Sequence, residues 1–377
     1  MFLNANPSSR TLSKGGIGFG YLEGRSILYN ILYIIMKIII VGGGWYGCHI
    51  ATILKDKYEI TILEKNNDIF NGSSFFNQNR LHLGYHYCRN YDTRHLCSQK
   101  YSMFLNKYPT LVDDIDNNYY MISKDSIIDF NTFVSIYKHE HFEYELVDNT
   151  LFNHIDGQLI KVKEKVINSQ RAYKYFKEHL SDIPIHCNEQ FTHYTKENDL
   201  ITVFTKTSSY DCDILLDCTY NQSGLDNNYI YELTCSLVYK KIKNTPFDAI
   251  TIMDGKFSSL YPREKNKFTY TLTDVEFTPI VSSNQFIDIL NYKVTNEQLE
   301  KTKHNMESKL KLYYPEFNTT FEYLDYFLSN KTKLISTSDS RDITIKELEK
   351  NVITVNCGKI YGIFEWEAYI LKYLEHI

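Results

Sequence analysis

Residues 37–64 contain the feature that most limits what this chain can fold into. Lys37-Ile38-Ile39-Ile40-Val41 is a short β-branched apolar run, the pattern of a strand buried on both faces of a parallel sheet. It leads directly into Gly42-x-Gly44-x-x-Gly47, after which Ala51, Ile53 and Leu54 fall on a helical period. A second strand, Tyr58 to Leu63, then ends in Glu64, twenty residues beyond Gly44. Each part has a mechanical reason. Gly42 permits the tight turn, Gly44 lets a backbone approach a pyrophosphate, and Gly47 lets the helix pack against the strand. The helix N-terminus offers unpaired N–H groups to phosphate oxygens, and Glu64 is placed to accept hydrogen bonds from a ribose. Strand, loop, helix, strand and terminal acid in that order specify a Rossmann-like dinucleotide site. Its expected contacts are Gly42, Gly43, Gly44, Trp45, Tyr46, Gly47 and Glu64.

Glycine is scarce, 16 in 377 residues, so the remaining glycines mark places where the backbone has little choice. Five fall within the first 24 residues, four in the turn just described, and the last two at 358 and 362. Lys+Arg 41 against Asp+Glu 46 gives a net charge of -5, which supplies no electrostatic footprint for nucleic acid. The eight cysteines include no CxxC and read as reduced thiols of a cytoplasmic protein. Residues 1–35 read as a flexible leader with no helical or strand period. Its apolar run, Ile27–Met36, is too short to span a bilayer, and no membrane anchor is expected. Met36, directly before the first strand, reads as an alternative start.

Glu64 suits FAD and NAD equally. A nicotinamide enzyme would continue into further βα units. This chain instead enters Asn71-Gly72-Ser73-Ser74-Phe75-Phe76-Asn77-Gln78-Asn79-Arg80-Leu81-His82-Leu83-Gly84-Tyr85-His86-Tyr87. That stretch resembles the flavin-contacting segment of FAD-dependent oxidoreductases of the D-amino-acid oxidase and glycerol-3-phosphate dehydrogenase type, residue by residue at Ser73, Ser74, His82 and Gly84. Among these it looks similar to bacterial members linked to surface-polysaccharide genes. The resemblance continues at Val166-Ile167-Asn168 and the helical 169–180, then at Asp211–Thr219. There the family has glycine after the threonine, whereas this chain has Tyr220-Asn221, which puts a close backbone approach in doubt. It ends at Val352–Gly362, similar to the family's last strand and glycine turn. FAD is the implied cofactor, with Arg80, Thr219, Gly358, Lys359, Ile360 and Gly362 joining the contacts.

The implied fold is α/β (α+β overall). A glutathione-reductase-type FAD-binding domain from 36–87, 161–228 and 334–377 is interrupted by a substrate domain from 88–160 and 229–333. In the second domain a helix over 93–108 precedes Pro109, and another spans 297–313. Runs at 231–242, 249–253 and 268–275 alternate with period two, predicting a mostly antiparallel sheet with one wet face.

His82 and His86 stand four apart, a helical metal spacing, but Gly84 between them argues for a loop, and no metal is assigned. His82 is placed beside the flavin. His139-Glu140-His141 reads as a solvated surface. Arg341 is the substrate-side candidate implied by the resemblance, since the amino-acid-oxidase type has an arginine near this place that holds a substrate carboxylate, which a planar guanidinium matches; an ion pair to Asp339 or Asp342 is the competing role. Asp254-Gly255 and Tyr261 are further residues able to face the site. No GxSxG, HExxH or P-loop lysine motif is present, so the chemistry expected is the cofactor's. It is oxidation of a small amine, amino acid, hydroxy acid or sugar-linked substrate with hydride passing to flavin N5. Two alternatives stay open: a mutase-like flavoprotein without net redox turnover, and a degenerate FAD-binding scaffold. Oligomeric state and electron acceptor are not fixed by the sequence.

Overall fold

The computed structural model describes residues 17–22, 25–30, 35–148, 157–264, 267–335 and 343–377. The run of β-branched residues at Lys37–Val41 forms the middle of a six-stranded sheet. Its order is Ile185–Cys187, Glu59–Glu64, Lys37–Val41, Ile214–Asp217, Val352–Asn356, Thr344–Glu349. The first five strands are parallel and the last is an antiparallel edge. Alternate residues feed two cores. Ile38, Ile40, Ile60, Ile62 and Leu216 point to the helices Trp45–Leu54, Tyr91–Lys107, Ser169–His179 and Gly362–Leu374. Ile39, Val41, Leu63 and Leu215 meet Ile201, Val203 and Cys212 of a three-stranded antiparallel sheet, residues 191–212. The result is a helix layer, a parallel sheet and a small second sheet.

Trp45, the first residue of the helix after the glycine turn, is the hub of the helix-side core. Its ring lies within 5.3–5.6 Å of the rings of Phe70, Phe104, Tyr108 and Phe176. Phe104 belongs to Tyr91–Lys107, whose Cys97 and Tyr101 are buried in the same core. The boundary expected at residue 88 gives that helix to the substrate domain, but its apolar face packs on the nucleotide sheet. Asn90 and Asn168 start their helices by accepting N–H bonds from Thr93 and Arg171, which satisfies otherwise unpaired donors.

The second large sheet is built from residues 118–123, 144–147, 157–162 and six strands between 229 and 334. It is antiparallel except where Ala249–Met253 runs parallel to Asn118–Ser123. The expected wet face is a correction. Strands Asn118–Ser123 and Ala249–Met253 are buried at every residue. The period of two is present, but in the central strands the polar alternates Thr234, Ser236 and Thr273 line an internal cavity. Alternation reports an apolar and a polar side, and a cavity serves as well as solvent for the polar one.

The leader also departs from expectation. Ile17–Leu22 pairs antiparallel with Arg25–Asn30. Ile17, Phe19 and Tyr21 alternate with Gly18 and Gly20, a strand period that a flexible reading of the glycines obscures.

Replacing Trp45 with alanine removes a ring with four aromatic neighbours. It is expected to destabilise the protein by about 3–5 kcal/mol, the usual cost of deleting a large buried aromatic, measured by urea unfolding.

Candidate functional site

A cavity of about 1040 Å3 runs from the glycine turn across to the large sheet. Its floor is the Gly42–Gly47 turn, held by several close approaches. Gly42 has φ +103°, and a Cβ there would lie 2.7 Å from the Cys218 carbonyl oxygen. A Cβ on Gly47 would lie 1.9 Å from the carbonyl oxygen of Gly42, so the helix approaches the strand as closely as two backbones allow. Gly44 faces Ser74, whose Oγ accepts the Trp45 N–H at 2.9 Å. Glu64 closes the turn from the second strand. Its carboxylate accepts the Gly43 N–H at 2.7 Å and the Asn66 N–H at 2.9 Å. The acid therefore shapes the loop as well as facing the cavity.

Most of the sequence-predicted residues line the cavity. Gly42, Gly44, Trp45, Tyr46, Glu64, Ser73 and Ser74 line the cavity at the turn. Arg80, His82, Thr219, Gly358, Lys359 and Ile360 line it as well, Thr219 beside Gly42 and Lys359 bonded through its carbonyl to Tyr46. Gly43, Gly47, Gly84 and Gly362 act on backbone geometry. Gly84, with φ +109°, lets its loop approach the Arg94 backbone, and a Cβ on Gly362 would lie 2.3 Å from the Tyr46 hydroxyl. Arg341 lies outside the described residues, as do Asp339 and Asp342. Asp254 and Gly255 line the cavity, with Asp254 accepting from Arg89 Nε at 2.8 Å.

Segment 71–90 bridges the two large sheets. Ser73 Oγ donates to the Asn330 carbonyl at 2.5 Å, and Gln78 Nε2 donates to the carbonyl of Ser259 at 3.1 Å. His82 and His86 occupy an irregular turn, with ring centroids 4.3 Å apart. His86 packs on Tyr87 at 4.2 Å, and the Lys359 ammonium sits 3.7 Å above the Tyr87 ring.

The strongest electrostatic feature is a buried cluster around Arg80. Its Nη2 donates to the Tyr120 hydroxyl at 2.6 Å, and its Nη1 donates to Ser259 Oγ at 3.1 Å. The guanidinium lies 4.3 Å from the centre of the Tyr261 ring. Tyr120 in turn donates to Glu164 at 2.9 Å, and Glu164 also accepts the Leu83 N–H at 2.7 Å. Burial pushes the Glu164 carboxyl up, against the pull of Arg80 and of the Tyr120 hydrogen bond. Sequence reasoning misses Tyr120 and Glu164, because nothing local ties a residue at 164 to an arginine at 80. Tyr261 is visible among 32 tyrosines only through its place in a strand facing the site.

Tyr220-Asn221 adopts the backbone conformation glycine favours, while the Tyr220 side chain lines the cavity. Both residues have positive φ, 61° and 56°, the left-handed region where glycine is the default. The turn is secured by bonds from Asn221 Nδ2 to the Asp226 carbonyl and from Thr332 Oγ1 to the Tyr220 carbonyl, both 2.7 Å.

No protein-family model matches the chain. It is 29% identical over 346 residues to an FAD-dependent monooxygenase, FPY4, of Fusarium mangiferae, covering 89% of this chain and 90% of that protein. Among solved structures it superposes on NikD, an unusual amino acid oxidase essential for nikkomycin biosynthesis, with TM-score 0.72 at 10% identity. That match covers 88% of this chain and 92% of NikD. Glycine oxidase from Geobacillus kaustophilus gives TM-score 0.70 at 9% identity, covering 90% and 95%. The fold is that of the FAD-dependent amino acid oxidases. Its sequence is thus similar to that of a fungal FAD-dependent monooxygenase, and its fold to that of solved amino acid oxidases.

Two outcomes test this geometry. Gly47→Ala is expected to destabilise the protein at or above the upper end of about 1–3 kcal/mol for overpacking, whereas Gly72→Ala, with nothing within 4 Å of its Cβ, leaves the melting temperature unchanged. Arg80→Met strands the buried Glu164 charge and is expected to cost about 3–5 kcal/mol. Adding Glu164→Gln recovers much of that loss in a double-mutant cycle by denaturant unfolding.

Proposed function

We propose that the protein binds FAD along this cavity and oxidises a small polar molecule, an amine, amino acid, hydroxy acid or sugar-linked compound. The observation that carries the reading is the continuity of one cavity from a phosphate-cradling turn to a polar sheet face. The residues present suit the cofactor. Glycines at 42 and 44 keep side chains off the turn, and Ser73 and Ser74 line it opposite. Glu64 presents a carboxylate already oriented by two backbone N–H bonds, suited to ribose hydroxyls. Thr219, Gly358, Ile360 and Lys359 supply a wall of backbone and one cation. The N-terminus of helix Gly362–Leu374 adds a positive dipole end. Once bound, FAD supplies a two-electron acceptor for the hydride leaving a substrate C–H.

The protein's own part is binding and orientation. His82, His86, Thr234, Ser236 and Thr273 offer hydrogen-bonding groups to a polar substrate, with the large sheet as the wall behind them. Arg80 is held by Tyr120, Tyr261 and Glu164, so its charge is fixed in place before any ligand arrives. Arg341 remains proposed as the clamp for an anionic substrate group. The fungal relative carries the name monooxygenase, which makes oxygen insertion the second reading.

The absorbance spectrum of the purified protein, before and after acid precipitation, is expected to show flavin bands and to report whether the flavin is covalently attached. Protein that neither retains nor takes up FAD supports the scaffold alternative. Under argon, substrate-driven bleaching supports the oxidase. Bleaching that needs another reductant supports the monooxygenase, and turnover only with pre-reduced flavin supports the mutase-like enzyme.

A further inference from the structure

Besides standing in the wall proposed to hold FAD, Lys359 has surroundings that suit it to a second task. Lys359 lies in the Gly358–Gly362 turn, is 7% exposed and lines the cavity. The groups facing it come from every neighbouring element. Tyr87 lies under the ammonium at 3.7 Å, with His86 packed on that ring at 4.2 Å and His82 at 5.6 Å. From strand 80–81 comes Arg80, whose charge repels it. Tyr46 donates its hydroxyl to the Lys359 carbonyl at 2.6 Å, and Cys357 Sγ accepts the Lys359 N–H at 3.4 Å. Among the described residues, burial is the main influence on its charge and Arg80 the second, with no carboxylate beside them. An ammonium in such a place loses hydration and gains no counter-ion, so its neutral form is favoured. Burial, reinforced by Arg80, brings the amine down to about 7. Slightly above neutral pH the side chain therefore carries a lone pair, inside the cavity proposed for FAD.

We propose that Lys359 is the catalytic residue that accepts the proton accompanying two-electron reduction of the bound FAD. The inference rests on the FAD reading above. Oxidation of a substrate R2CH–XH, with X oxygen or nitrogen, breaks one C–H and one X–H bond. The C–H electron pair leaves with its hydrogen as hydride to FAD. The X–H pair becomes the second bond of C=X, and the proton passes to Lys359 Nζ, forming an N–H bond and an ammonium. That ammonium then balances the negative charge gained by the cofactor. A fixed cation at 359 offers the same balance but takes no proton.

The test needs no substrate. The FAD-loaded protein is titrated with dithionite and mediator dyes, and the slope of midpoint potential against pH counts the protons taken up per electron pair. Between about pH 7.5 and 9 the wild-type protein is expected to take up two, one on the cofactor and one on Lys359, and Lys359→Met and Lys359→Arg only one each. Lys359→Arg is expected to keep a higher potential than Lys359→Met. Equal slopes in all three proteins overturn the inference, as does a wild-type slope already at one proton. A variant that misfolds loses its flavin spectrum, and either variant alone gives the comparison. Wild-type protein that takes up no FAD overturns the cofactor reading itself, whereas bound flavin with an unaltered slope overturns only the role of Lys359.

Discussion

The cavity depends on how closely two pieces of backbone approach. Gly47 rests against the carbonyl of Gly42 at a distance no side chain permits, and this contact fixes where the helix Trp45–Leu54 begins. The helix start places Trp45, and Trp45 gathers rings from the segment after the second strand, from Tyr91–Lys107 and from Ser169–His179. Three distant stretches of chain are thus positioned by one turn. Loosening it would cost both the aromatic core and the cradle for phosphate, because the same atoms serve both.

The second organising element is segment 71–90. It crosses from one sheet to the other with little regular structure of its own, so its shape is set by what it bonds to. Ser73 and Gln78 attach to carbonyls of the large sheet, and Arg80 inserts between Tyr261 and the Tyr120–Glu164 pair. A buried ion pair contributes little net stability compared with apolar packing, but breaking it is expensive. Arg80 and Glu164 therefore act more as a register pin between the sheets than as a source of stability.

What the sequence discloses follows from the range of the interactions. The turn, its flanking strands and Glu64 lie within 28 residues, each with a local signature, and the fold class follows from them. The helices at 91–107, 169–179 and 296–311 lie within a residue or two of those expected at 93–108, 169–180 and 297–313. The assignment of Tyr91–Lys107 to a domain is not legible, since helical period shows that a face is buried but not against what. The polar alternates at 234, 236 and 273 illustrate the same limit, being read as solvent-facing when they face a cavity. Glu164 is invisible for a different reason: its partner stands 84 positions earlier, and only the folded sheets bring the two together. Tyr220-Asn221 shows that residues other than glycine hold a left-handed conformation when side chains such as Asn221 and Thr332 bond the turn.

The sulfur around the glycine turn is chemically quiet. Cys48 Sγ donates to the Gly43 carbonyl, and the Cys218 carbonyl lies against Gly42. Burial pushes both thiols well above their ordinary range, with Glu64 further raising Cys48 and Asp217 further raising Cys218. Only the thiolate attacks disulfides, peroxides or electrophiles. Two cysteines beside the turn are thus held toward their protonated, less reactive form by the same packing that builds the turn.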